Sequence, residues 1–116
     1  FLPVLIDTYF TLKQVALKGN QETILDLAGN DSTLQAIAYS NLGIVYQTRG
    51  ELDKAVKFYE KALAIEKELG RKEGIANNYN NLGVVYQIRG ELNKAVKFQE
   101  KSLAIHRELG IKEGMA

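Results

Sequence analysis

Apolar residues return at intervals of three and four along most of this chain, the spacing that places them on one face of an α-helix. Tyr39, Leu42, Gly43 and Tyr46 mark one such face, and Leu52, Ala55, Val56, Tyr59, Ala62 and Leu63 mark the next. Tyr79, Leu82, Gly83, Tyr86, Ala95 and Leu103 repeat the arrangement. The pattern predicts four helices, over residues 33–48, 52–69, 75–88 and 92–109. Ser32-Thr33-Leu34-Gln35 has the form of a capping box, in which Ser32 satisfies an orphan N–H and Gln35 reaches back to the cap. Arg49-Gly50-Glu51 and Gly70 are the expected stops. Gly43 lets a partner helix approach, and the small Ala55 and Ala62 mark where the antiparallel backbones come nearest.

The helices come in pairs because the sequence itself is written twice. Residues 36–75 and 76–115 align without a gap, with 28 identities in 40 positions. A fixed period of this length signals a repeat architecture. Each copy is a helix–turn–helix that cannot bury its apolar face alone, so neighbouring copies must stack. Two differences stand out: Tyr59 becomes Gln99 and Ala62 becomes Ser102, which makes the last helix slightly more polar.

Residues 1–35 fall outside the period. Pro3 suits a first helical turn, and Leu5, Tyr9, Leu12 and Ala16 give a helix over residues 4–18. Gly19-Asn20 ends it, a shorter helix over residues 21–28 follows, and Gly29-Asn30-Asp31 is the next break. This segment reads either as a degenerate, shortened hairpin or as an end-piece that covers the first repeat. The domain division is therefore 1–31, 32–75 and 76–116. The chain has no initiator methionine, and it stops at Met115-Ala116 where a further helix is expected, so it reads as a piece of a longer repeat protein.

Composition narrows the chemistry. With 46% hydrophobic and 25% charged residues the chain is ordinary for a globular protein. A net charge of +1 supplies no field for nucleic acid or an acidic membrane surface, and neither partner is expected. No apolar run approaches the roughly 18 residues of a membrane span. The absence of cysteine removes thiolate metal sites, and the single histidine, His106, builds no cluster, so neither a metal nor another cofactor is expected. There is no Gly-rich phosphate loop, nucleophile–base pair or paired carboxylate set, so catalysis is not expected of this segment. Nothing in the sequence assigns a compartment.

Tyr39-x2-Leu42-Gly43-x2-Tyr46 followed by Ala55, Tyr59 and Ala62, and again Tyr79, Leu82, Gly83, Tyr86 and Ala95, resembles the tetratricopeptide repeat. The period is 40 residues rather than the usual 34, and neither copy carries the closing proline. The longer second helix, with Asn-Leu-Gly in the first, resembles the repeats of kinesin light chain and of partner-of-inscuteable adaptors. The resemblance implies an all-α, right-handed solenoid of antiparallel hairpins whose first helices line a concave groove.

On that wall stand Ile37, Ser40, Asn41, Ile44, Gln47 and Thr48, and in the copy Asn77, Asn80, Asn81, Val84, Gln87 and Ile88. Residues 33–48 and 75–88 contain no charge. Asparagine and glutamine each carry donors and an acceptor, which suits the amides of an extended peptide. Ile37, Ile44, Val84 and Ile88 add apolar contact for the peptide's side chains. The resemblance implies that Asn41 and Asn81, at one repeat position, contact a peptide main chain; the alternative is hydrogen bonding between neighbouring helices or to water. The lysine or arginine clamp that some family members use for a terminal carboxylate is missing, since Ser40, Ile44, Asn80 and Val84 occupy the matching positions. A row of Lys54, Lys57 and Lys61, mirrored by Lys94, Lys97 and Lys101, is interrupted by Glu51, Glu60, Glu66 and Glu68 and reads as a solvated outer face. His106 is expected to be exposed.

The leading expectation is a protein-interaction scaffold that holds a peptide or partner helix in the groove. A second is self-assembly, as a homo-oligomer joined through exposed solenoid ends. A third makes the segment a regulatory part of an enzyme located elsewhere in a longer chain.

Overall fold

The computed structural model describes residues 28–114. The helices expected within residues 1–27 lie outside the described residues. Four helices follow: α1 (Ser32–Thr48), α2 (Leu52–Leu69), α3 (Lys72–Ile88) and α4 (Leu92–Gly114). No strand occurs among the described residues. α1 packs on α2, α3 packs on α4, and α2 joins the two hairpins by packing on α3. The architecture is an all-α helical-repeat solenoid.

The turns follow from glycines at positive φ. Gly50 (φ 80°) and Gly90 (φ 81°) close the two hairpins, and Gly70 (φ 68°) separates them. At each hairpin the glycine N–H and the next N–H fold back on the helix: Gly50 N–H donates to the Gln47 carbonyl and Glu51 N–H to that of Tyr46. These bonds satisfy carbonyls that the helix end leaves open. Three boundaries differ from expectation. α1 is capped by Asp31, whose side chain accepts from Leu34 N–H at 3.0 Å, rather than by Ser32. Gln35 reaches back to the Gly29 carbonyl at 2.7 Å. α3 starts at Lys72 rather than 75, because helical geometry resumes directly after the Gly70 turn and Gly74 lies inside it. α4 continues through Gly110 to Gly114 instead of stopping at 109.

The core lies between the helices of each hairpin and between α2 and α3. Tyr59, Leu42, Leu82 and Val85 are its largest fully buried side chains, each contributing roughly 1.5–3 kcal/mol by burial. Gly43 is required here: a Cβ would lie 2.5 Å from the Tyr59 ring. Phe58, absent from the expected stripe, is only 4% exposed and stacks on Tyr46 at 5.3 Å and Tyr39 at 6.0 Å between ring centroids. Phe98 repeats this with Tyr86 and Tyr79.

The lysine row is not simply solvated. Lys54 lies over the Tyr46 ring at 5.3 Å and Lys61 over Tyr39 at 5.4 Å, and Lys94 and Lys101 repeat both contacts. Their ammonium groups lie over the faces of the aromatic ladder, where the ring quadrupole attracts a cation. Leu103, expected in the second stripe, is 48% exposed, whereas its counterpart Leu63 is buried. α2 packs on both α1 and α3, whereas α4 packs on α3 alone among the described helices. Ser102 is buried despite its polarity, so it does not add to a polar end face.

Candidate functional site

α1 and α3 stand side by side with a cleft of about 380 Å³ between them. Ile37, Ser40 and Asn41 line it from α1, and Gly74, Asn77, Asn78 and Asn81 from α3. Helical spacing accounts for the walls: residues three, four and seven apart share a face, so 37, 40 and 41 project together, as do 74, 77, 78 and 81. The C-terminal end of α2 reaches the same cleft with Glu66, and the connection and first turn of α3 add Arg71 and Glu73.

Of the residues singled out in the sequence, Ser40, Asn41, Asn77 and Asn81 come together in this cleft. The others do not line it. Ile44 is 49% exposed, Asn80 and Gln87 are exposed, and Val84 is half-buried. Gln47 is engaged within the hairpin, accepting from the Tyr59 hydroxyl at 2.8 Å. Gln99, which replaces Tyr59 in the second copy, donates to Gln87 at 3.4 Å. The same repeat position therefore ties the hairpin together with a phenol in one copy and an amide in the other. Burial pushes the Tyr59 hydroxyl up to about 12, since the phenolate would be stripped of water.

The cleft floor is a polar chain that crosses between repeats. Ser40 Oγ donates to Asn78 Oδ1 at 3.1 Å, and Asn78 Nδ2 donates to the Gly74 carbonyl at 3.0 Å. Arg71 Nη1 lies 3.4 Å from Glu66 Oε1. Two atoms keep unused capacity: Asn41 Nδ2 and Glu66 Oε2 are buried without a hydrogen-bond partner among the described residues. Such atoms are uncommon in folded proteins because water has been removed without replacement.

Glu66 corrects the sequence reading, which placed it on the outer face. It is 4% exposed, because Gly74 leaves the space that its carboxylate fills. A Cβ on Gly74 would collide with Glu66 Oε2. Glu66, Arg71, Glu73, Gly74 and Asn78 were all missed as cleft residues. One signal was available: Glu66 is replaced by His106, and Arg71 by Ile111, at the same repeat positions. His106 is exposed, as expected. No group of three or more metal-ligating side chains occurs among the described residues.

A family model described as tetratricopeptide repeat matches residues 16–68 and, in a second register, residues 34–108. The chain belongs to the tetratricopeptide repeat family. Tetratricopeptide repeats are generally protein–protein interaction modules and typically non-catalytic scaffolds, and a protein partner follows from membership. No curated protein matches the sequence. No described helix of this tetratricopeptide repeat protein is long and apolar enough to cross a membrane.

Proposed function

We propose that this chain is a peptide-docking module, with an extended segment of the partner seated between α1 and α3. The observation that carries the reading is the unpartnered Asn41 amide in a cleft otherwise walled by Ser40, Asn77 and Asn81. A peptide backbone offers a carbonyl for each Asn N–H and an N–H for each Asn carbonyl. The wall is built from two regular helices, which limits the ordering that binding requires.

The test is selection of peptides from a display library on the intact 116-residue chain, followed by Kd measurement by fluorescence anisotropy. Asn41→Ala combined with Asn81→Ala is expected to weaken the selected peptides at least tenfold. Unchanged affinity would overturn the reading.

A second reading, self-association through one end, is favoured by a separate observation. Leu92, Val96 and Leu103 are 61%, 51% and 48% exposed along one side of α4. At the matching positions of the first copy, Val56 and Leu63 are each 8% exposed and Leu52 is half-buried. Light scattering across a micromolar series decides it: a constant monomer mass removes this reading.

A further inference from the structure

The docking reading leaves open what the peptide must carry, and the floor of the cleft answers it. Residues 33–48 bring no charge to the cleft, so its field is set by Glu66, Arg71 and Glu73. Two carboxylates stand against one guanidinium. The N-terminus of α3 opens on the same space and adds roughly half a positive charge. The sum remains negative.

The charges are also unevenly engaged. Arg71 touches Glu66 through Oε1 alone, at 3.4 Å, and its own side chain is 47% exposed. Glu66 is almost wholly buried, and its Oε2 has no partner among the described residues. A buried carboxylate is costly unless both oxygens are paired. Glu73 is exposed at the rim, and no ion pair holds it among the described residues. Beside them is Asn41 Nδ2, a donor that lacks an acceptor.

We infer that the cleft selects a peptide bearing a lysine or arginine, its cation directed to Glu66 and Glu73 and a neighbouring backbone carbonyl taken by Asn41 Nδ2. This rests on the docking reading and adds the chemistry of the partner. A single cation complements the remaining negative charge and the buried carboxylate oxygen that lacks a partner. The backbone carbonyl complements the Asn41 amide nitrogen that lacks an acceptor. An acidic side chain meets two carboxylates and is rejected. The second copy offers no equivalent, because His106 and Ile111 stand where Glu66 and Arg71 do, so the preference belongs to one place along the groove.

The experiment uses the peptides selected on the intact chain. Each is compared by anisotropy with versions whose Lys is replaced by norleucine or by glutamate. The selected set is expected to share one Lys or Arg at a fixed register, and norleucine to raise Kd at least tenfold. Glu66→Gln is expected to weaken the Lys peptide about as much and leave the norleucine peptide unchanged. Should Glu66→Gln lose its helical circular dichroism, Glu73→Gln, at an exposed position, carries the test with a smaller loss of the same sign. Equal binding of Lys and norleucine peptides, or a Lys preference that survives both neutralised variants, overturns the cation assignment while the docking reading stands. If no peptide is selected, or the double asparagine variant binds normally, both fall together.

Discussion

The two hairpins share 28 of 40 residues yet do not share a state. In the first, Val56 and Leu63 are buried; in the second, Val96 and Leu103 stand half exposed. In the first, Tyr59 fills the gap over Gly43 and is 1% exposed; in the second, a partly buried Gln99 crosses Gly83. The side chains of a helical repeat do not carry fixed energetic value. Their value is set by the neighbour, as expected for an array held by nearest-neighbour interfaces.

Paired substitutions break this comparison most directly. Leu63→Ala is expected to cost about 2–4 kcal/mol through the cavity it leaves, and Leu103→Ala less than about 1 kcal/mol, since half of that side chain already meets water. Urea denaturation of both variants checks it, and equal losses would show that α4 is covered in solution. Glycine replacement comes next. Gly43→Ala drives a methyl into the Tyr59 ring and is expected to cost about 1–3 kcal/mol. Gly83→Ala meets the movable Gln99 side chain and the Ala95 carbonyl at 3.2 Å, and is expected to cost less, because helix propensity returns up to about 1 kcal/mol.

Alkaline pH separates the copies through Tyr59, for which Gln99 has no titrating equivalent. The folded state holds its proton up to about 12, whereas the unfolded chain releases it near 10. Stability should therefore be unaffected below pH 10 and fall as pH rises from 10 to 12, by about 2 kcal/mol in all. Thermal melts of the wild type and Tyr59→Phe at pH 9 and 11.5 test the sign: the variant should lose less. The smallest effect is at the caps. Asp31→Ala should cost about 1 kcal/mol and Ser32→Ala only a few tenths, because Asp31 makes the capping bond. The reverse order would restore the capping-box reading.

The hairpins were legible in the sequence because their determinants are local. Leu42, Gly43, Tyr46, Ala55 and Tyr59 lie within one repeat, and their spacing alone fixes which helix faces which. The cleft was half legible for the same reason. Asn41 and Asn81 sit on first helices whose outward face can be counted off, and they do line it. Glu66 was not legible, because its burial depends on a missing side chain eight positions later, at Gly74, and on the turn that brings the two together. A period count cannot register space left by an absent atom. Leu103 failed for the opposite reason: its own repeat says buried, and only the lack of a described neighbour leaves it exposed.

The segments 68–74 and 108–114 read Glu-Leu-Gly-Arg-Lys-Glu-Gly and Glu-Leu-Gly-Ile-Lys-Glu-Gly. In the first, Gly70 turns left-handed and ends α2; in the second, Gly110 stays helical and α4 runs on. One near-identical heptapeptide thus holds two shapes, and only the first is followed by a described helix, α3, packed back on α2. A hairpin seated on α4 in the manner of the first pair would bend the chain at Gly110 and dissolve the helical turn beyond it. Docking there would be read by circular dichroism as a loss of ellipticity in the older partner, against the usual gain of order on assembly.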